Sequence, residues 1–153
     1  MAKKQISVIM FGPLFTLAER LFNTALAEAL QRQSHDRLRV TLPQVEAKKH
    51  IVNGRPDFAG IREECLYNAA GHDVAIAILD GADADSGTSV EIGYRKGKDA
   101  RALTIGVRTD FRASEDGGVN CMLNLCDEIV YAPSSETSVD ELAALLIVAI
   151  NRR

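Results

Sequence analysis

No covalent or metal staple is legible in this chain. The three cysteines, Cys65, Cys121 and Cys126, are odd in number and form no Cys-x-x-Cys pair. That argues against a disulfide framework or a zinc ribbon. The three histidines, His35, His50 and His72, are scattered without ligand spacing. No apolar run reaches the roughly 18 residues of a membrane span. The run nearest the start covers only Ile6 to Phe15, with no small-residue cleavage pattern behind it, so a cytoplasmic location is expected. An excess of one charge is also missing. Lys and Arg number 18 against 21 Asp and Glu, a net charge of −3, which leaves no electrostatic footprint for a nucleic-acid polymer or an anionic membrane. A small anion could still be held by one local site. Repeats, low-complexity tracts and linkers are absent as well.

What is present fits a single domain over residues 1–153, with 46% hydrophobic and 25% charged residues. A chain of this size buries roughly 68–70% of its unfolded surface, enough to dispense with staples. Ile6–Phe11 reads as a buried strand closed by Gly12-Pro13. Thr16, with Glu19 three residues on, predicts a capping box and a helix to about Gln33, its apolar stripe on Leu17, Leu21, Ala25 and Leu30. Leu38–Leu42 predicts a second strand stopped by Pro43, and the polar stretch 44–56 predicts a loop. A helix is expected from Asp57 or Phe58 to Ala70, with Gly71 as its C-terminal cap. The near-continuous apolar run Asp73–Leu79 is the pattern of a central strand covered on both faces. Then come a loop over 80–85, a helix over Ser86–Lys98, a strand over Ala102–Val107 and a surface loop over 109–118. A short helix near Val119–Leu125, a strand over Glu128–Tyr131 and a helix over Ser138–Asn151, with Leu142, Leu145, Leu146 and Ile150 inward, complete the pattern. Strands alternating with helices predict an α/β, doubly wound, mostly parallel five-stranded sheet with helices on both faces, a Rossmann- or flavodoxin-like three-layer fold. Ligands of such sheets bind at the carboxyl ends of the strands. A site is therefore expected among Gly12-Pro13, the 80–86 loop and the 108–120 stretch.

Three motifs lie at those ends. Phe11-Gly12-Pro13-Leu14-Phe15 either lets a ligand approach the backbone at Gly12 or is only a tight turn; no G-x-G-x-x-G is present to mark a dinucleotide site. The second motif runs from Leu79 through Asp80, Asp83, Asp85 and Ser86 to Glu91 and Tyr94. Its carboxylates are not spaced as an EF-hand. Thr88-x-x-Glu91 reads equally as a capping box, in which Glu91 only satisfies backbone amides, or as a carboxylate projecting into the cleft and kept ionised by the helix dipole. Such a carboxylate suits attack on a sugar carbon with oxocarbenium character. In the third, Arg108-x-x-x-Arg112 reads as a solvated or ion-paired face, and Asn120 as a cap or turn residue.

The order Gly-Pro-Leu-Phe-Thr-x-Ala-Glu, then Leu-Asp-Gly-x-x-x-Asp-Ser-Gly-Thr-x-x-Glu-x-Gly-Tyr, then Arg-Thr-Asp-Phe-Arg and Asn-x-Met-Leu resembles the nucleoside 2-deoxyribosyltransferase family over roughly residues 6–132. The middle motif is the most specific. The resemblance implies that Glu91 is the nucleophile that takes the deoxyribose at its anomeric carbon. It implies that Asp85 hydrogen-bonds the sugar hydroxyls, that the Gly12 backbone borders the ligand, and that Asn120 serves the site of a neighbouring subunit in a homo-oligomer. Asp80 is expected to orient its loop. Two departures stand out. Ile9 occupies the place of a first-strand tyrosine. Cys65, read from its own surroundings as a small buried hydrophobe, occupies the place of an aspartate that contacts the base.

The expected chemistry is retaining and two-step, on a small nucleoside and nucleobase, with no metal and no organic cofactor. One rival is a deoxynucleoside 5′-monophosphate N-glycosidase. Asp85 would repel its phosphate, while Ser86 and the arginines of 108–112 could hold it. Another is a nucleotide-sensing module without turnover, for which Ile9 is the main support.

Overall fold

In the computed structural model, residues 5–113 and 117–152 are described. Part of the expected 109–118 loop, residues 114–116, thus lies outside the described residues. The apolar run after Asp73 becomes strand β5 (Val74–Ile78), buried at every residue. It pairs in parallel with β1 (Ile6–Phe11) on one side and β6 (Leu103–Arg108) on the other. Beyond β1 lies β2 (Leu38–Thr41), and beyond β6 lies β7 (Glu128–Tyr131), both parallel as well. The sheet order is β2-β1-β5-β6-β7. This is a doubly wound α/β sheet, and every pair in it is parallel.

Alternation along β1 and β5 divides the core. Val8, Met10, Ile76 and Ile78 face helices α1 (Leu17–Gln33) and α5 (Val139–Asn151). Ile9, Phe11, Ala75 and Ala77 face the opposite layer, where α3 (Phe58–Gly71) packs against α4 (Ser86–Lys98). On that second face β5 contributes only alanines. At Gly106 of β6 a Cβ would stand 2.7 Å from Leu79 Cδ1.

Several helix boundaries follow from their caps. Thr16 Oγ1 accepts from Glu19 N at 3.2 Å, and Glu19 Oε2 accepts from Thr16 N at 2.7 Å, which forms the expected capping box. The apolar stripe of α1 differs from the expected one. Leu17 and Leu21 are 73% and 60% exposed, and the inward residues are Asn23, Leu26, Ala27, Ala29 and Leu30. A Leu-rich helix with two possible apolar faces buries the one that meets the sheet and α5. In α5, Leu145 likewise turns outward while Ala143 and Ala149 are buried. Gly71 is the last residue of α3, and the extended His72 ends the helix.

The stretch 44–56 is not simply a loop. It folds into α2 (Pro43–Glu46), a 3₁₀ turn (Ala47–His50) and a small hairpin, β3 (Ile51–Val52) and β4 (Arg55–Pro56). Asn53 and Gly54 turn the hairpin with φ of 51° and 76°. Asn-Gly is the sequence signal for that turn. Among the described residues no helix is long and apolar enough to cross a membrane.

The chain winds to one side of β1 and to the other side of β5. The switch point lies between their carboxyl ends, at Gly12 and Leu79-Asp80. A Cβ at Gly12 would meet Ile78 Cβ at 3.0 Å, so the glycine allows the two strand ends to lie this close.

Candidate active site

A cleft of about 510 Å³ opens beside this switch point on the α3–α4 side. Four segments build it, one of them Pro43 and Ala47 of α2 and the 3₁₀ turn. Gly12, Leu14 and Phe15 come from the turn after β1. Asp85 to Thr88, Val90 and Glu91 come from the start of α4. Phe58, Ile61, Arg62, Cys65 and Leu66 form one face of α3. Their spacing of three and four residues makes them neighbours on a helix surface. That spacing, which the motif reading did not use, was the available signal for this wall. The 108–120 stretch was expected here. Instead residues 109–112 line a separate cleft of about 640 Å³ with Asp80, Phe22 and Asn23.

Asp85 decides the standing of Glu91. Asp85 is the N-cap of α4; its Oδ2 accepts from Thr88 N at 3.0 Å and from Thr88 Oγ1 at 3.4 Å. Thr88 is thus the third residue of the helix and is buried. The Thr88-Glu91 capping box does not form, because the helix starts three residues earlier than that reading required. Glu91 lies in the second turn, past the unpaired first-turn amides, and its carboxyl borders the cleft.

The expectation that the helix dipole keeps Glu91 ionised is reversed. Burial pushes its carboxyl up to about 7, the charge of Asp85 pushes the same way, and a hydrogen bond from the Cys65 thiol opposes them. The dipole acts mainly on the first turn, and there Asp85 already occupies it. Cys65 is not merely a small hydrophobe. It is half-buried, and its thiol is pushed up to about 11 by burial and then by the Glu91 charge. At neutral pH it is a donor.

Behind Glu91 lies a chamber of about 10 Å³, walled by Ile9, Glu46, Glu64, Cys65 and Asn68 among others. Ile9 is 2% exposed. Asn68 Nδ2 donates to Glu64 Oε1 at 3.0 Å, and this bond is the main cause that lowers the Glu64 pKa. Lys49 pairs with Glu46, and His50 Nε2 stands 3.5 Å from Glu64 Oε2.

The other sequence candidates take distinct places. Gly12 and Ser86 line the Glu91 cleft. Asp80 accepts from Thr109 N at 2.6 Å, Thr109 Oγ1 at 2.5 Å and Asp110 N at 2.9 Å, so it holds the 109–112 loop, whereas it was expected to orient its own. Asp83 accepts from Ala84 N. The acidic cluster is thereby split among separate backbone tasks, and no metal-holding group of His, Cys, Asp or Glu occurs among the described residues. Arg108 is not solvated. It is 3% exposed and donates to Leu79 O, Gly81 O and Arg112 O, at 2.8, 3.1 and 2.9 Å. Arg112 pairs with Asp110 at 2.6 Å. Asn120 is not in the cleft wall. It caps the 3₁₀ turn Cys121–Leu125, accepting from Met122 N at 3.0 Å.

A structure of a conserved protein from Enterococcus faecalis V583 superposes with a TM-score of 0.74 at 20% identity, over 95% of this chain and 99% of that one. A 2-deoxyribosyltransferase from the psychrotolerant bacterium Bacillus psychrosaccharolyticus superposes with a TM-score of 0.56 at 15% identity, over 79% and 90%. At such identities the likeness is one of fold. No curated protein sequence matches the chain. The sequence model described as Nucleoside 2-deoxyribosyltransferase matches residues 10–145.

Proposed function

The chain belongs to the nucleoside 2-deoxyribosyltransferase family, and on that premise we propose that it cleaves the N-glycosidic bond of a 2′-deoxynucleoside through Glu91. The observation that carries this reading is the Glu91 carboxyl itself. It is excluded from capping by Asp85, desolvated, and set on the wall of a largely apolar cleft at the sheet's switch point.

In the first step an ionised Glu91 oxygen attacks C1′. The C1′–N bond breaks and its electron pair leaves with the base, which is protonated from solvent. In the second step a nitrogen of another base, or a water oxygen, attacks C1′ and gives up its proton to solvent. The ester bond breaks, Glu91 is released as carboxylate, and configuration is retained overall. The attack needs the ionised form, so turnover rises with pH through about 7. The apolar walls receive the base, the Gly12 backbone admits the sugar closely, and Asp85 accepts from a sugar hydroxyl. On the same reading Asn120 serves the cleft of a second copy of the chain. In its own chain it lines no part of the Glu91 cleft among the described residues, and Met122 and Leu125 beside it are exposed.

A second reading, a deoxynucleoside 5′-monophosphate N-glycosidase, is favoured by Arg62, a cation that lines the same cleft as Ser86. Incubation with deoxyinosine or with dIMP, each with and without adenine, separates the two. Deoxyadenosine formed from deoxyinosine and adenine is the expected product. Free deoxyribose 5-phosphate from dIMP alone establishes the second reading instead. Absence of deoxyadenosine, of free deoxyribose from deoxyinosine and of deoxyribose 5-phosphate overturns the proposal.

A further inference from the structure

The chamber beside Glu91 holds about 10 Å³, which is room for one group of the size of a water molecule. A nucleobase ring cannot enter it, but a single amino, oxo or methyl substituent on the edge of a ring can. Chamber and cleft adjoin, because Ala47, Ile61 and Cys65, besides Glu91, wall both. Glu64 walls the chamber and not the cleft, with Asn68 one turn further along α3. The Glu64 carboxylate is held from two sides. Asn68 Nδ2 donates to its Oε1 at 3.0 Å, and His50 Nε2 stands 3.5 Å from its Oε2. Asn68 is itself buried, and the bond it donates keeps the Glu64 carboxyl below its ordinary range and so ionised at neutral pH. The other acid of the wall, Glu46, is paired with Lys49. A carboxylate accepts hydrogen bonds and donates none, so Glu64 gives the chamber a fixed acceptor.

We propose that the chamber reads the base, and that Glu64 selects bases whose inner edge carries an amino group, of the adenine and cytosine type, over their oxo counterparts. This rests on the reading of the cleft as a 2′-deoxynucleoside site. In-line attack by Glu91 requires the base to point away from the attacking oxygen, along the wall that Ala47, Ile61 and Cys65 give to both spaces. An amino N–H that reaches the chamber donates to Glu64. An oxo group in its place sets one acceptor against another, and both are left desolvated without a partner, which is costly. Glu64 meets the edge of the base and not the reacting carbon, so it governs which base is taken. Asn68 is its positioning residue.

For cleavage by the parent protein, kcat/KM should be about tenfold to a hundredfold higher for deoxyadenosine than for deoxyinosine, and for deoxycytidine than for deoxyuridine. In Glu64→Gln the amide oxygen can keep the bond from Asn68 while an N–H turns to the chamber, so the preference should vanish or reverse. A Glu64 that only holds α3 in place lowers all four rates in proportion and leaves the ratios at their parent values. That outcome, or a parent without the amino preference, overturns the proposal. A readout independent of turnover and of any variant is calorimetry of free bases with the parent protein. Adenine should bind at least about tenfold tighter than hypoxanthine. N,N-dimethyladenine, which has no amino N–H and carries two methyl groups too large for the chamber, should bind no better than hypoxanthine. Equal binding of the three overturns the proposal. If adenine is preferred in binding while no nucleoside is cleaved, the chamber stands and the Glu91 reading fails. If nucleosides are cleaved without regard to the amino group, the chamber reading fails alone.

Discussion

Asp85 and Glu91 are six residues apart and enter the same helix region, yet their surroundings differ. An oxygen of Asp85 accepts from the Thr88 amide. Glu91 lies a turn further on, without such an amide, against apolar walls. Glu91→Gln should keep the fold while lowering glycosidic cleavage by on the order of 10³-fold or more, because an amide oxygen is a poor nucleophile. The same variant reports burial. Glu91 titrates near 4.5 in the unfolded chain and near 7 in the folded one, so folding favours its neutral form. The stability this gives is fully present below pH 4.5 and is lost as pH rises through about 7. Glutamine has no such loss. Relative to the native protein it should therefore gain up to about 3 kcal/mol on going from pH 4 to pH 8, read from denaturant midpoints at both values. A pH-independent difference would show that the Glu91 carboxyl is solvated.

At the scale of the elements, α4 begins at an acid that both caps and lines the cleft. Asp85→Ala should cost ~1 kcal/mol from the lost cap. Asp85→Ser keeps a capping oxygen and removes the charge, so it should improve use of a 5′-monophosphate relative to the nucleoside if that oxygen faces the 5′ end. An unchanged ratio of the two turnover rates would show that Asp85 does not read the 5′ group. Helix α1 offers a second contrast. Leu26→Ala should cost 2–5 kcal/mol, as a buried core truncation does, whereas Leu21→Ala on the exposed side should stay within about 0.5 kcal/mol. Both are measured by urea unfolding, and a reversed order would place the other face of α1 inward. The start of α1 was legible because its capping box precedes the helical run; for α4 the span was legible but not its cap. The inward face of α1 was not. Leucines at 17, 21, 26 and 30 offer more than one stripe, and only the position of the sheet and α5 selects among them.

For the whole molecule, the Asn120 proposal makes the site a property of an assembly. Glu91→Ala and Asn120→Ala proteins, each nearly inactive, should recover roughly a quarter of native activity when mixed and allowed to exchange subunits. About half the dimers are then mixed, and each mixed dimer holds one undamaged site of two. Failure to recover activity despite exchange, followed by mass spectrometry of labelled chains, would return Asn120 to its role as the cap of Cys121–Leu125. The sequence by itself determined the alternation of strands and helices, the buried central strand and the placing of Glu91 and Asp85 near its carboxyl end. Those follow from local periodicity, caps and the rule for parallel sheets, which need no knowledge of distant contacts. Only the tertiary structure decided that Asp85, not Thr88, caps the helix, and that α3 walls the cleft while residues 109–112 line another. It alone decided that Cys65 and Glu91 share the cleft wall and that burial raises the Glu91 carboxyl. Each of these depends on which surfaces meet across the sheet and how much water they exclude; the spacing on α3 marks a helix face, but not what that face meets.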